Sequence, residues 1–146
     1  MYSFRTLGRK ATAQTVTFTT ADIKIGHQFT SIYVWVKTTA VTGTSPTLNL
    51  ILQRAILPPA AVDVEWTDIT GTTEYQDYAA FSQITGNTER AMSIVGSANQ
   101  EFAVTEGTLT AGTILDGAIP PAFRFKGVIG GTSPNFTVQI VVQFIP

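Results

Sequence analysis

The chain has 146 residues, a formal net charge of −1 at neutral pH, 44% hydrophobic residues and no cysteine. This length is enough for one domain with a sizeable core, and the hydrophobic content excludes a disordered chain. The lack of cysteine excludes a disulfide framework and a thiol nucleophile, and the near-zero charge argues against binding nucleic acid through a broad positive field.

The chain carries an unusually low share of charged residues. Soluble domains usually carry about 25% charged residues, whereas this chain carries 13%. We therefore expect much of its surface to be covered by partners. No segment approaches the roughly 18 apolar residues of a membrane helix, and no apolar stretch follows the basic N-terminal residues as it would in a secretory signal. The sequence predicts no membrane contact.

Taken in chain order, the pattern begins with an arm and continues as strands. Residues 1–12 read as an extended N-terminal arm. Apolar and polar residues then alternate with a period of two in five segments, at residues 15–20, 30–39, 48–53, 123–129 and 136–144. Such alternation is typical of antiparallel sheets with one polar face. It predicts one all-β domain at residues 13–146, an antiparallel two-sheet β-sandwich of jelly-roll-like form.

The middle of the chain is less regular. Aromatic residues at positions 75, 78 and 81 fit a helical turn, a strand or a loop equally poorly, and short strands are predicted at residues 102–104 and 114–115.

The sequence Gly-Thr-Ser-Pro occurs twice, at residues 43–46 and 131–134, and an alternating segment precedes each copy. Glycine accepts a positive φ in a turn, and proline fixes φ at the start of a strand where no amide donor is needed. The repeat therefore predicts two equivalent β-hairpins. A phosphate-binding loop is disfavoured, because such a loop opens a helix whereas both copies open strands.

Candidate catalytic and metal-binding residues are few. His27 is the only histidine, whereas a Ser-His-Asp arrangement needs a base beside a nucleophile and zinc needs three or four ligands. Acidic residues cluster around the middle, at Asp63, Glu65, Asp68, Glu74 and Asp77. Solvated acids are the favoured interpretation, since calcium needs six to eight oxygens, although spacing alone does not exclude a glycosidase pair. We predict that the chain is not an enzyme and that it binds no metal and no cofactor.

Three groups of residues are candidates for binding a partner. The arm contributes basic residues that could order on an acidic neighbour, the alternative being a frayed terminus. An apolar loop follows the first repeat, and aromatic residues of the middle could stack on sugars or anchor a protein. The alternative places Trp35 and Trp66 partly in the core. The predicted contact residues are Arg5, Arg9, Lys10, Leu57, Pro58, Pro59, Val62, Trp66, Tyr75 and Tyr78.

Three motifs accompany the repeat: Trp-Thr-Asp-Ile at residues 66–69, Phe-Ser-Gln-Ile-Thr-Gly at 81–86, and an arginine-bearing segment that leads into Ile-Gly-Gly-Thr-Ser-Pro at 129–134. With these motifs the chain resembles, over roughly residues 30–146, the small structural proteins of tailed-phage virions. It departs from them at residues 54–63, where an apolar loop replaces a short acidic turn.

The resemblance implies a β-sandwich or jelly roll that decorates or cements a capsid. The expected protein is made in the host bacterial cytoplasm, resides on the capsid surface of the virion, and binds across subunits of the major capsid protein as a homotrimer. Because such a protein binds the assembled shell and not its loose form, it stabilises assembly by mass action. The alternatives are a tail or fibre module that binds a host receptor or glycan, and a hydrolase with an acid pair brought together by folding.

Overall fold

The computed structural model describes residues 5–24, 29–56, 75–95, 106, 109–115 and 122–146. Seven strands form one antiparallel sheet, which confirms the predicted all-β class and antiparallel pairing. The strands are β1 (Arg5–Gln14), β2 (Phe18–Thr19), β3 (Ile23–Lys24), β4 (Ser31–Ala55), β5 (Tyr75–Ala80), β6 (Thr88–Val95) and β7 (Ala122–Ile145). The described residues form no helix, so none of them belongs to a helix that could span a membrane.

Two long strands organise the sheet. β4 has 25 residues and β7 has 24, and they pair almost end to end, from Ser31 opposite Ile145 to Arg54 opposite Phe123. The first half of β4 also pairs with β6, and the second half of β7 with β1. These four segments are called the first half-sheet. The remaining halves of β4 and β7 pair with β5 and with β2 and β3, which gives the second half-sheet.

The two ends of β7 lie close together. Phe123 and Phe144 lie near opposite ends of β7, yet their ring centroids are only 5.8 Å apart. A straight strand of that length would separate them by about 70 Å, so β7 must bend back between them. One buried cluster contains residues of both half-sheets. Its members from β4 and β7 are Ile32, Val34, Val36, Leu48, Leu50, Leu52, Phe123, Phe125, Phe136, Val138, Ile140, Val142 and Phe144.

The two Gly-Thr-Ser-Pro copies lie inside β4 and β7, so the prediction of two hairpins was wrong. Both strands continue through the repeat, with Thr44 opposite Thr132 and register shifts around them. Glycines at 43 and 131 have φ values of 112° and 106°, and the serines two residues later both have 49°. A bulge with positive φ bends a strand without ending it, and here one bulge lies against the other.

The N-terminal segment predicted as an arm is, from Arg5 onward, the edge strand β1. It pairs with the second half of β7 from Arg5 to Gln14, with a register shift between Arg9 and Thr12. Two further expectations change. The strand predicted at residues 15–20 is limited to Phe18–Thr19, with Val16 exposed. The ambiguous aromatic segment of the middle forms β5, and residues 102–104 lie outside the described part.

Candidate interaction surface

The outward side of the first half-sheet carries two aromatic residues, the exposed Tyr33 and the half-buried Trp35. On β4, Tyr33 and Trp35 alternate with residues that are fully buried in the core, so both side chains project outward. The strand register places Ala91 of β6 on one side of Trp35 and Val141 of β7 on the other, with Gly8 of β1 beyond Val141. The residues that flank Trp35 across the strands are therefore small, and the indole is half-buried.

The neighbouring rows are polar but neutral. Tyr33, which is 39% exposed, lies between Ser93 and Gln143. In the next row the Nζ atom of Lys37 lies 3.0 Å from Oε1 of Glu89, and the two charges cancel. We call this surface the outer face. It comprises Thr6, Gly8, Tyr33, Trp35, Lys37, Glu89, Ala91, Ser93, Gln139, Val141 and Gln143.

Strand spacing gives the size of the outer face. Four strands about 4.8 Å apart and three rows of outward residues cover roughly 400 Å². A stable protein interface buries about 800 Å² on each partner, so the outer face could supply about half of one. Interface centres are poor in charge and rich in Trp and Tyr. The outer face has this character, and Trp35 lies at its centre.

Two of the three predicted contact residues of the N-terminal segment, Arg9 and Lys10, have described side chains. The backbone of Arg5 pairs with Phe144, and its side chain is outside the described part. Lys10 is exposed, whereas Arg9 is partly buried and its Cζ atom lies 5.4 Å from the centre of the Phe18 ring. Arg9 therefore contacts the protein's own apolar residues.

Five of the predicted contact residues cannot be placed. They belong to the apolar loop and the segment after it, and they lie outside the described residues: Leu57, Pro58, Pro59, Val62 and Trp66.

Two tyrosines of β5 were predicted to contact a partner, and both contact other residues of this protein. Tyr78 is fully buried, with the Cζ atom of Arg54 5.1 Å from its ring centre. The prediction that Tyr78 contacts a partner therefore needs correction, because the side chain has no surface to offer. The Tyr75 hydroxyl donates to Asp22 at 2.7 Å, and the Cζ atom of Arg124 lies 3.5 Å from the Tyr75 ring centre. Burial and the hydrogen-bonded Asp22 carboxylate raise the Tyr75 pKa, and the Arg124 charge opposes them.

A polar network extends inward from Tyr75. Asp77 is fully buried and accepts hydrogen bonds from Nε2 of Gln53 at 2.8 Å and from the amide of Leu109 at 2.9 Å. Nε of Arg124 donates to Oε1 of Gln53 at 2.8 Å, and Nη2 of Arg124 lies 2.6 Å from Glu106. Asp77 is thus not the solvated acid that the sequence suggested. The network ties residues 106 and 109 to the second half-sheet.

The charged side chains of this network make structural contacts within the protein. The buried Asp77 accepts from two N–H groups, as a buried polar group must to avoid a desolvation cost. The partly exposed Glu106 pairs with Arg124 and Lys126. Across the described ranges, no group of three or more His, Cys, Asp or Glu side chains could hold a metal ion.

Trp35 was not among the predicted contact residues, and the interpretation that places it partly in the core agrees with its half-buried side chain. The signal for its outward direction was present: Trp35 alternates with three β-branched residues that form the buried side of the same strand.

No protein-family model, curated protein or solved structure matches this chain. Its function is therefore inferred from its own residues.

Proposed function

We propose that the chain is a structural protein of a tailed-phage virion, of the capsid decoration or cement type. The observation that carries the proposal is the outer face, which is neutral and centred on Trp35. The low overall charge and the virion-protein motifs support the same conclusion. In this proposal the outer face docks on the major capsid protein, and the half-sheets form a two-layer, jelly-roll-like sandwich.

The proposed mechanism is stabilisation of the assembled shell by binding. A protein that binds adjoining capsid subunits, and not free subunits, shifts the equilibrium toward the shell by mass action. A homotrimer would present three outer faces to the lattice. Since linked sites bind with an avidity of about 10²–10⁴ times the single-site affinity, a face of modest size would suffice.

Co-sedimentation with heads tests this proposal. Purified chain is mixed with heads of the phage that carries this coding sequence, and bound protein is measured against concentration. Trp35→Ala should weaken binding about 30-fold, because a central interface tryptophan contributes about 2 kcal/mol or more. Ile114→Ala is the matched control, since Ile114 is 47% exposed and lies off the outer face.

Circular dichroism and thermal unfolding must show that both variants fold. Ile114→Ala should then bind like the unmodified chain. Failure of the unmodified chain to bind heads, or equal binding by Trp35→Ala, contradicts the proposal.

A second candidate function is that of a tail or fibre module that binds a host glycan through Tyr33 and Trp35. Tyr33 and Trp35 project from the same side of β4, and Tyr33 is 39% exposed. Aromatic rings stack on sugars as well as on proteins. This function predicts that host surface polysaccharide shifts the fluorescence of Trp35. It also predicts that phage bearing Trp35→Ala assemble and retain the protein but adsorb poorly to cells.

A further inference from the structure

A cavity of about 440 Å³ lies at the edge of the molecule where the two half-sheets meet. Its wall comes from β1, from the segment that contains β2 and β3, and from both ends of β7. Most of the wall is apolar, contributed by Leu7, Ile23, Phe125, Ile140 and Val142. The volume falls within the roughly 300–1,000 Å³ of pockets that hold small organic ligands.

The wall also contains one cation. Arg9 lines the cavity, and its Nη1 atom is shielded from solvent without a hydrogen-bond partner in the described part of the chain. The Phe18 ring lies against the guanidinium but does not replace an acceptor. A buried donor without an acceptor is costly, and more so when it is charged. An anionic acceptor beside Nη1 of Arg9 would remove this cost.

The residues of the wall do not supply that acceptor. None of them is Asp or Glu. The hydroxyl of Thr20 is already engaged, since it accepts from the amide of Phe125 at 2.9 Å and donates to the carbonyl of Ala21 at 3.2 Å. The cavity thus combines one unsatisfied positive charge with an extensive apolar wall.

We propose that this cavity binds an amphiphilic carboxylate, such as a medium-chain fatty acid, with its head on Arg9 and its hydrocarbon chain against the apolar wall. A guanidinium can hold a carboxylate through two parallel hydrogen bonds, and this contact would satisfy Nη1. The proposal is independent of virion attachment, because the Leu7 and Arg9 side chains of the cavity alternate along β1 with the outer-face residues Thr6 and Gly8. Gly8 borders both sites but has no side chain.

Calorimetric titration of the full chain with decanoate tests the proposal. Decanoate should bind saturably with one site per chain, and decylammonium, which carries the opposite charge on the same tail, should not. Methyl NMR signals of Leu7, Ile23, Ile140 and Val142 should shift during the decanoate titration. Absence of saturable decanoate binding, or equal binding of decylammonium, overturns the proposal.

Variants at positions 9 and 10 distinguish the effect of the Arg9 charge on binding from an effect on folding. Arg9→Met should weaken decanoate binding at least tenfold, since it removes the charge and keeps a long side chain. Arg9→Lys should recover part of the affinity, because it restores the charge without the two-pronged geometry. Lys10→Met is the matched control and should bind as the unmodified chain does. Equal affinity in Arg9→Met and Lys10→Met overturns the role of Arg9.

Discussion

Replacing Gly131 by alanine should destabilise the protein where the two repeats face each other. A Cβ atom at position 131 would lie 2.6 Å from the carbonyl oxygen of Ser45 and 3.0 Å from Cα of Pro46, both backbone atoms. The φ of 106° adds strain, because a residue with a side chain in a sparsely populated backbone region costs about 1–3 kcal/mol. Together these effects should lower the free energy of unfolding by about 2–4 kcal/mol.

Urea denaturation measures this loss, and thermal unfolding should show a fall in Tm of about 5–15 °C for a chain of this size. Gly43→Ala should behave in the same way, since its Cβ would lie 2.8 Å from the carbonyl oxygen of Ser133 at a φ of 112°. Gly86→Ala is the control, because nothing lies within 4 Å of its Cβ position. If all three variants are equally stable, the close approach of the two repeats is wrong.

Two further predictions concern the polar network. Asp77→Ala should destabilise the protein by about 2–4 kcal/mol in urea denaturation, because it leaves Nε2 of Gln53 and the Leu109 amide without their acceptor; a loss below about 0.5 kcal/mol contradicts the network. The raised Tyr75 pKa means that the folded protein holds the phenol proton more tightly than the unfolded chain. The resulting stabilisation is present below about pH 10 and is lost as the pH rises through the folded pKa. Absorbance titration at 295 nm should show a late-titrating tyrosine that Tyr75→Phe removes, and identical curves would refute the assignment.

The strands with one apolar and one polar side were predictable from the sequence. The alternation at residues 30–39, 48–53 and 136–144 identified buried residues of β4 and β7, since burial on one face follows from a period of two. β6 was missed because Thr88 and Arg90 share a side with Met92 and Ile94, which masks the alternation.

The repeats show why local sequence did not give the topology. A glycine with positive φ followed by proline is compatible with a hairpin turn and with a bulge inside a strand. Only the pairing of Thr44 with Thr132, across 88 positions of the sequence, distinguishes the two. Asp77 illustrates the same limit, since its burial depends on Gln53 and Leu109 from distant segments.

The most direct test of the proposed function is to locate this protein on intact phage particles by cryo-electron microscopy. The account predicts density for the folded sheet on the head surface, with the outer face around Trp35 against the major capsid protein at the junctions between subunits. Density at the tail or fibres, or head density in which Trp35 faces solvent, would contradict it.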